Sequence, residues 1–213
     1  MKLLKCIPFA LSLFIIRESH SQYTWEEVNV PYSIEVNMIA FDSTGNQFIS
    51  SDHGVYFSEN GYNWEQTSHT DYESYIYINE INTIYAGMTN LYRSFDMGIN
   101  WDSIFYSSEG GIMNICTYGD SSILIGTWGG IYRSIDNGQI WSHVLDTYNS
   151  EVIKDIVFDS GGIYYAGSTS YNGISPGGIY RSYDNGATWS LCCLEYHFVS
   201  SIKINVTLRP ATS

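Results

Sequence analysis

The amino-acid sequence predicts an all-β fold in which one four-stranded antiparallel unit occurs about four times. Three observations support this prediction: a ten-residue phrase that recurs, short segments in which apolar and polar residues alternate, and frequent Gly, Asp and Asn between those segments. Alternation with a period of two is typical of half-buried strands, and this punctuation is typical of the turns that join them. After residue 21 no segment has a convincing helical period.

The recurring phrase has the form YRS-x-D-x-G-x-x-W. It occurs as YRSFDMGINW at 92–101, YRSIDNGQIW at 132–141 and YRSYDNGATW at 180–189, and a shorter copy, VYFSENGYNW, lies at 55–64. The tryptophans that end the four copies are separated by 37, 40 and 48 residues. This spacing indicates one supersecondary unit repeated along the chain.

Each unit contains four strands in the same order. In the first strand apolar and polar residues alternate, as in IMNICTY at 112–118. A turn such as DSTGN at 42–46 follows this strand. The second ends in YAG or LIG, the third is GVYFS, NLYRS or GIYRS, and the fourth begins at the tryptophan. Four short strands in roughly 40 residues are the content of a β-propeller blade. We predict blades at approximately 34–68, 73–105, 110–145 and 151–194.

The chain ends provide parts of a fifth blade. Trp25 lies 39 residues before Trp64, so that 22–30 fits a fourth strand, and 198–208 fits a first strand. Propellers close when an N-terminal strand completes the last blade, but here the second and third strands of that blade are missing. Two alternatives stay open: a short ring that closes by itself, and an incomplete ring of a truncated chain, whose open sheet edges favour self-association.

The first 21 residues have the composition of a secretory signal peptide. Lys2 and Lys5 precede an apolar run at 6–16, and SHS at 19–21 offers small residues for cleavage. The run is too short to span a bilayer comfortably, although a membrane anchor or a buried helix is the alternative. We predict a signal peptide at 1–21, a propeller domain at 22–213 without a membrane span, and a secreted or periplasmic location.

The charge balance excludes some classes of partner. The chain carries 22 acidic and 9 basic side chains, a formal net charge of −13. Nucleic acids and anionic membrane surfaces need a positive footprint, so neither is an expected partner. An extracellular or periplasmic protein or carbohydrate fits this balance better.

Cysteine and histidine provide no metal site. Signal cleavage leaves Cys116, Cys192 and Cys193, which are too few for a disulfide framework and lack the spacing of zinc ligands. Adjacent residues of a strand point to opposite faces, so a bond between Cys192 and Cys193 would be strained. The histidines show no ligand spacing either, and we expect no metal and no cofactor.

The residues of the recurring phrase have a structural interpretation. A short Asp side chain accepts hydrogen bonds from its own loop, glycine permits a positive φ, and tryptophan folds back over the hairpin. A catalytic acid would not be repeated in each unit, nor replaced, as it is by Glu59 and Asn60 in the shorter copy. The residues given this role are Asp96, Gly98, Trp101, Asp136, Gly138, Trp141, Asp184, Gly186 and Trp189.

The segments SFDMGINW, SIDNGQIW and SYDNGATW resemble the Asp-box, or bacterial neuraminidase repeat, of the sialidase-like β-propeller superfamily. The resemblance covers nearly all of the chain after residue 21. It implies that the box caps the hairpin between the third and fourth strands, on the face opposite the ligand site. The superfamily includes sialidases, xyloglucan-cleaving glucanases, sortilin-type receptors and photosystem II assembly factors, so the fold does not settle the function.

Sialidase chemistry does not fit these residues. Sialidases of this superfamily carry an arginine triad, an Arg-Ile-Pro-like motif and a Tyr–Glu nucleophile pair. Here Arg93, Arg133 and Arg181 occupy the same slot of successive units, which favours structural pairing with an acid or stacking on an aromatic ring. We assign no catalytic residue, and enzyme activity is not the favoured interpretation.

A hydrolase fragment, sialidase-like or xyloglucanase-like, is the alternative. Glycoside hydrolysis needs two acids on the ligand face, one of them protected from solvent. Asp71, Glu73, Asp146 and Glu151 lie in loops from fourth to first strands, but no pair stands out.

The favoured function is a secreted, non-enzymatic module that binds a protein or a glycan through its loops. Aromatic rings beside acids can stack on sugars or form a protein-binding patch. For Trp128 and Tyr171 the alternative is that they only cover the adjacent hairpin. The candidate contact residues are Trp128, Tyr171, Tyr72, Asp71 and Tyr148.

Overall fold

The computed structural model describes the side chains of residues 34–72, 75–119, 121–148, 151–170, 177–193, 197 and 199–203, and the backbone of 13–19 and 22–28. These ranges consist of strands and turns, and they contain no helix. In the described part of the chain, no helix is long and apolar enough to cross a membrane.

The strands form one two-stranded and four four-stranded sheets in the described ranges. The small sheet consists of β1 Leu13–Ser19 and β2 Gln22–Val28. Blade 1 consists of β3 Val36–Phe41, β4 Gln47–Ser51, β5 Gly54–Ser58 and β6 Glu65–Gln66. Blade 2 consists of β7 Tyr75–Ile78, β8 Ile84–Gly87, β9 Asn90–Ser94 and β10 Asp102–Tyr106.

The remaining two sheets follow the same plan. Blade 3 consists of β11 Ile112–Tyr118, β12 Ser122–Thr127, β13 Gly130–Ser134 and β14 Ser142–Asp146. Blade 4 consists of β15 Glu151–Phe158, β16 Tyr164–Ser170, β17 Gly178–Ser182 and β18 Ser190–Cys193. Each sheet contains four consecutive strands in chain order, which confirms the predicted all-β fold of four-stranded antiparallel blades.

The N-terminal strand pairs differently from the expected fifth blade. Trp25 lies in β2, whose partner is β1, with Trp25 opposite Ile16. Residues 199–203 belong to no sheet in the described structure. A fifth blade shared by the chain ends and cleavage after residue 21 both stay predictions.

The chain divides into two compact units, residues 1–88 with 92–103 and residues 89–91 with 104–213. In the first unit, buried side chains gather around Tyr56 and around Phe48. In the second unit, a cluster joins apolar side chains of blades 3 and 4: Cys116, Leu124, Ile131, Ile153, Ile156, Tyr164 and Ala166. The second strands, such as β12, are buried almost throughout, whereas the fourth strands, such as β14, are largely exposed edges.

The turn between β13 and β14 is fixed by side-chain acceptors. Asp136 Oδ1 accepts hydrogen bonds from the backbone of Gln139 (3.1 Å) and Ile140 (2.9 Å). Ser134 Oγ donates to the same oxygen at 2.8 Å and accepts from the amide of Gly138 at 2.8 Å. The hydrogen bond from the Ile140 amide, together with that from Ser134, holds the pKa of Asp136 below its ordinary value. The carboxylate therefore satisfies backbone amides that have no strand partner.

Two successive residues of this turn have positive φ, of which the sequence predicted one. Gly138 has φ 83°, as expected, but Asn137 also has φ 60°. Asparagine adopts the left-handed region more readily than most residues, which explains the Asn-Gly pair in two of the three full copies. Trp141 then folds back, and its Nε1 donates to Gly138 O at 3.1 Å and to Ile104 O at 2.8 Å. The ring thereby links the turn of blade 3 to a strand of blade 2.

The shorter first copy is built with an amide in place of the carboxylate. Asn60 Oδ1 accepts hydrogen bonds from the backbone of Tyr62 (2.8 Å) and Asn63 (3.0 Å). Trp64 Nε1 donates to Gly61 O at 3.1 Å, as in the other copies. An oxygen acceptor is thus the shared requirement at this position, which supports the structural interpretation.

Blades 3 and 4 meet through a contact that is repeated further along the chain. A Cβ on Gly126 would lie 2.8 Å from Ile153 Cγ2, so that only glycine allows this approach of β12 and β15. Asn114 Oδ1 accepts a hydrogen bond from the amide of Ile156 at 3.1 Å. These are contacts of the first strand of one blade with the preceding blade.

The segment 199–203 makes the same two contacts with blade 4. Gly167 faces Val199, and Asp155 Oδ2 accepts a hydrogen bond from the amide of Ile202 at 2.7 Å. The segment therefore lies against blade 4 as β15 lies against blade 3. This supports the expectation that a first strand begins here.

We expect Asp184→Ala to lower the melting temperature by about 3 °C. Thr188 donates to Asp184 from its hydroxyl (2.6 Å) and its amide (2.8 Å), and alanine removes both acceptors. Asp184→Asn is the matched control, since Asn60 shows that an amide oxygen serves the turn. Thermal denaturation followed by circular dichroism at pH 7 measures both; equal losses in the two variants would contradict the prediction.

The effect of alanine is also expected to depend on pH. The hydrogen bonds from Thr188 lower the pKa of Asp184 to about 2, so the ionised carboxylate stabilises the folded state at neutral pH. That stabilisation is lost as the pH falls from about 4, the ordinary carboxyl value, toward 2. Melts at pH 7, 4 and 2.5 should show the difference in melting temperature between wild type and Asp184→Ala narrowing as the pH falls; a difference that stays constant would oppose this assignment.

Candidate functional site

The loops predicted to hold a ligand lie at one end of the strands in the second unit. Because the strands are antiparallel, the repeated turns lie at the opposite end of each blade. Hydrogen bonds join the loops: the Thr147 amide donates to Gly129 O at 3.0 Å, and the Ser107 amide donates to Thr89 O at 2.8 Å. We call residues 107–111, 128–129 and 147–148 the loop end.

Trp128 is half-buried at the loop end because it packs on a neighbouring loop. A Cβ on Gly110 would lie 3.0 Å from Trp128 Cβ and 3.1 Å from its Cγ, so the indole covers this glycine. Gly110 has φ 112°, which also requires glycine. The contact favours the interpretation that Trp128 covers the hairpin, with part of the ring still reachable by a ligand.

An acid and a tyrosine form a hydrogen-bonded pair beside this tryptophan. Tyr132 OH donates to Glu109 Oε2 at 2.9 Å, and His143 Nε2 lies 3.9 Å from the same oxygen. The His143 ring stacks on Tyr132 with centroids 4.2 Å apart and planes inclined by 4°. Burial and the Glu109 carboxylate raise the pKa of Tyr132 to about 12. The tyrosine is therefore a neutral hydrogen-bond donor at physiological pH.

Blade 4 contains an equivalent pair that is more deeply buried. Glu151 is 5% exposed, and its Oε2 accepts hydrogen bonds from Ser168 Oγ (2.7 Å) and Tyr180 OH (3.0 Å). Burial, and then the Glu151 charge, raise the pKa of Tyr180. Tyr132 and Tyr180 occupy the same position of the recurring phrase, so blades 3 and 4 share the acid–tyrosine pair.

The sequence did not identify these pairs. Glu109 lies just before β11 and Glu151 begins β15, and each acid faces the tyrosine in the third strand of its own blade. The sequence feature that could have indicated these pairs is a glutamate near the start of the first strand of a blade, together with the tyrosine of YRS in its third strand. Its spacing varies between the blades because the loops differ in length, so no fixed motif reveals it.

The other predicted contact residues are distributed over both units. Tyr148 is 85% exposed at the loop end, with φ 51°, and its amide donates to Asp146 Oδ1 at 2.7 Å. Since Thr147 binds Gly129, the structure brings the Tyr148 and Trp128 loops together. Asp71 and Tyr72 are exposed in the first unit, and Tyr171 lies outside the described residues.

The arginines of the recurring phrase lie toward the turns. Arg93 lies over the Phe95 ring at 4.5 Å and Arg181 over the Tyr183 ring at 4.6 Å, which confirms the expected stacking for these two. Arg133 Nε instead donates to Asn185 O at 2.9 Å. Within the described ranges, no three His, Cys, Asp or Glu side chains are grouped as metal ligands would be.

Several solved structures are similar to this chain. An ancestral GH74 enzyme has a TM-score of 0.64 and 17% identity, over 79% of this chain and 27% of that one. YCF48 from Cyanidioschyzon merolae has a TM-score of 0.57 and 18% identity, over 78% of this chain and 58% of that one. YCF48 was also solved bound to D1 peptide. PorZ, a surface component of the type-IX secretion system of Porphyromonas gingivalis, has a TM-score of 0.55 and 13% identity, over 83% of this chain and 31% of that one.

These similarities show the fold alone, because each identity is below one fifth. They confirm the β-propeller prediction, and the chain spans only 27% to 58% of the lengths of these proteins. No family model matches the sequence, and no curated protein matches it.

Tyr180→Phe is expected to lower the free energy of unfolding by about 1–2 kcal/mol, because it leaves the buried Glu151 carboxylate without one of its donors. The matched control is Tyr183→Phe, whose side chain is 64% exposed in the neighbouring turn and whose loss should be below about 0.5 kcal/mol. Urea denaturation measures both variants. Equal losses would show that the hydrogen bond to Glu151 contributes nothing.

Proposed function

We propose that this chain is an exported, non-enzymatic β-propeller of the Asp-box family that binds a protein or a glycan through its loop end. The three full copies of the recurring phrase support the family assignment, together with the hydrogen bonds that each Asp accepts within its turn. The predicted signal peptide and the net charge of −13 support export and a partner that is not a polyanion.

The observation that carries this proposal is the state of two acids, Glu109 at the loop end and Glu151 at the start of β15. Glu109 is bound by Tyr132, and Glu151 is both buried and bound by two hydroxyls. A general acid or nucleophile must be able to reach its substrate, so these carboxylates serve packing better than hydrolysis. What the loop end offers to a ligand is the exposed ring of Tyr148, in a loop that is hydrogen-bonded to the loop of the half-buried Trp128.

The hydrolase alternative has one observation in its favour. Glu151 meets the requirement for an acid protected from solvent. Its carboxylate, however, already accepts two hydrogen bonds on one oxygen, and Asp146 is held by the Tyr148 amide. A sugar could reach Glu151 only after these contacts opened. The described residues therefore favour binding over cleavage.

The similar structures include both kinds of propeller. One is a GH74 enzyme, and another, YCF48, was solved bound to D1 peptide. A propeller scaffold therefore serves catalysis in one protein and peptide binding in another, and only the loops of this chain decide its own case.

Screening the purified protein on a glycan array and a peptide array tests the proposal. We expect a glycan or peptide whose affinity falls by about tenfold in Tyr148→Ala, as is usual for an aromatic contact residue. Tyr183→Ala is the matched control, an exposed tyrosine at the turn end, and should retain wild-type affinity.

The outcomes separate the two candidate functions. Equal losses in Tyr148→Ala and Tyr183→Ala, or no ligand on either array, would oppose a binding site at the loop end. Release of reducing ends from a polysaccharide, abolished by Glu151→Gln, would establish the hydrolase instead.

A further inference from the structure

Two adjacent cysteines lie at the outer edge of blade 4, in its fourth strand β18. In the pairing of β17 with β18, Ile179 lies opposite Cys193 but Tyr180 lies opposite Leu191. Cys192 is therefore an extra residue without a partner in the ladder, which is the definition of a β-bulge.

The bulge changes where the two side chains point. In a regular strand they would lie on opposite faces, as expected from the sequence. The register shift interrupts this alternation, and the two sulfur atoms lie 3.0 Å apart. The expectation of opposite faces was wrong because it assumed a regular strand. A sulfur–sulfur distance of 3.0 Å needs to shorten by only about 1 Å to reach the ~2.05 Å of a disulfide bond.

We propose that Cys192 and Cys193 form a dithiol–disulfide redox site whose reaction partner is a low-molecular-weight disulfide. The Cys193 thiolate attacks one sulfur of the small disulfide, forms a mixed disulfide and releases one thiolate. The Cys192 thiolate then attacks the Cys193 sulfur and releases the second thiolate. Two protein thiols are oxidised to one disulfide, the small disulfide is reduced to two thiols, and the two protons pass to the released thiolates.

The order of attack follows from exposure. Cys193 is exposed at the sheet edge, whereas Cys192 is partly covered and burial raises the pKa of its thiol to about 11. Cys193 therefore meets the small disulfide first, and Cys192 acts second, within the molecule. Cys116 is a natural contrast, because it is buried in the core and burial raises the pKa of its thiol to about 12.

The bond would be easily reduced again. The Cα atoms of adjacent residues are ~3.8 Å apart, closer than the ~4.4–6.8 Å of ordinary disulfides. Such strain makes a disulfide more reducible, so the pair suits reversible oxidation better than permanent stabilisation. The predicted export would place it in oxidising surroundings.

Incubation of the folded protein with oxidised glutathione, followed by intact mass measurement, tests this proposal. All variants carry Cys6→Ser, so that only the three described cysteines remain. The Cys6→Ser protein that keeps Cys192 and Cys193 should become lighter by two hydrogen atoms. Peptide mapping should place the new disulfide bond within the one peptide that contains both cysteines. Cys116→Ser should behave in the same way.

The single variants distinguish ring closure from simple glutathione addition. Cys192→Ser cannot resolve the mixed disulfide, so its glutathione adduct on Cys193 should exceed that of the parent protein by about tenfold or more. Equal adduct levels in the two proteins, a disulfide that includes Cys116, or disulfide-linked dimers would overturn the proposal. Melting curves of the reduced proteins check that the variants are folded.

Discussion

The backbone amides of the repeated turns require hydrogen-bond acceptors that no neighbouring strand supplies. The conformation of each turn, and with it the position of its tryptophan, depends on side chains that provide these acceptors. A carboxylate and a serine hydroxyl provide the acceptors in the third blade, and an asparagine amide does so in the first. Once the turn is fixed, its tryptophan is held in place, and Trp141 reaches a backbone oxygen of the preceding blade. A local requirement of the turn thereby becomes a contact between successive blades.

The parts of the fold that could be predicted from the sequence are those encoded locally. The third strands were predictable because an apolar run ends at a turn with an unmistakable sequence, and GIYRS at 130–134 is strand β13. The left-handed Asn137 and the meeting of Cys192 with Cys193 were not predictable. The first depends on the geometry of the whole turn, and the second on a one-residue register shift that only strand pairing creates.

The candidate site was predicted in outline but not in its chemistry. The loops of Trp128 and Tyr148 do lie together, as the strand order required. The partners of Glu109 and Glu151, in contrast, come from a strand more than 20 residues further along the chain, with a different spacing in each blade. Such pairs hold two of the chain's 22 acidic side chains in hydrogen bonds to tyrosine hydroxyls.

The contact of Gly126 with Ile153, which Gly167 and Val199 repeat, has an evolutionary consequence. Blade 3 presents to blade 4 the same kind of surface that blade 4 presents to residues 199–203, so the two surfaces match in this part of the chain. Duplication or loss of one whole repeat in the gene then joins surfaces that already fit. Chains of this type can change their number of blades without first evolving a new interface, and the loops at the ends of their strands are free to diverge separately.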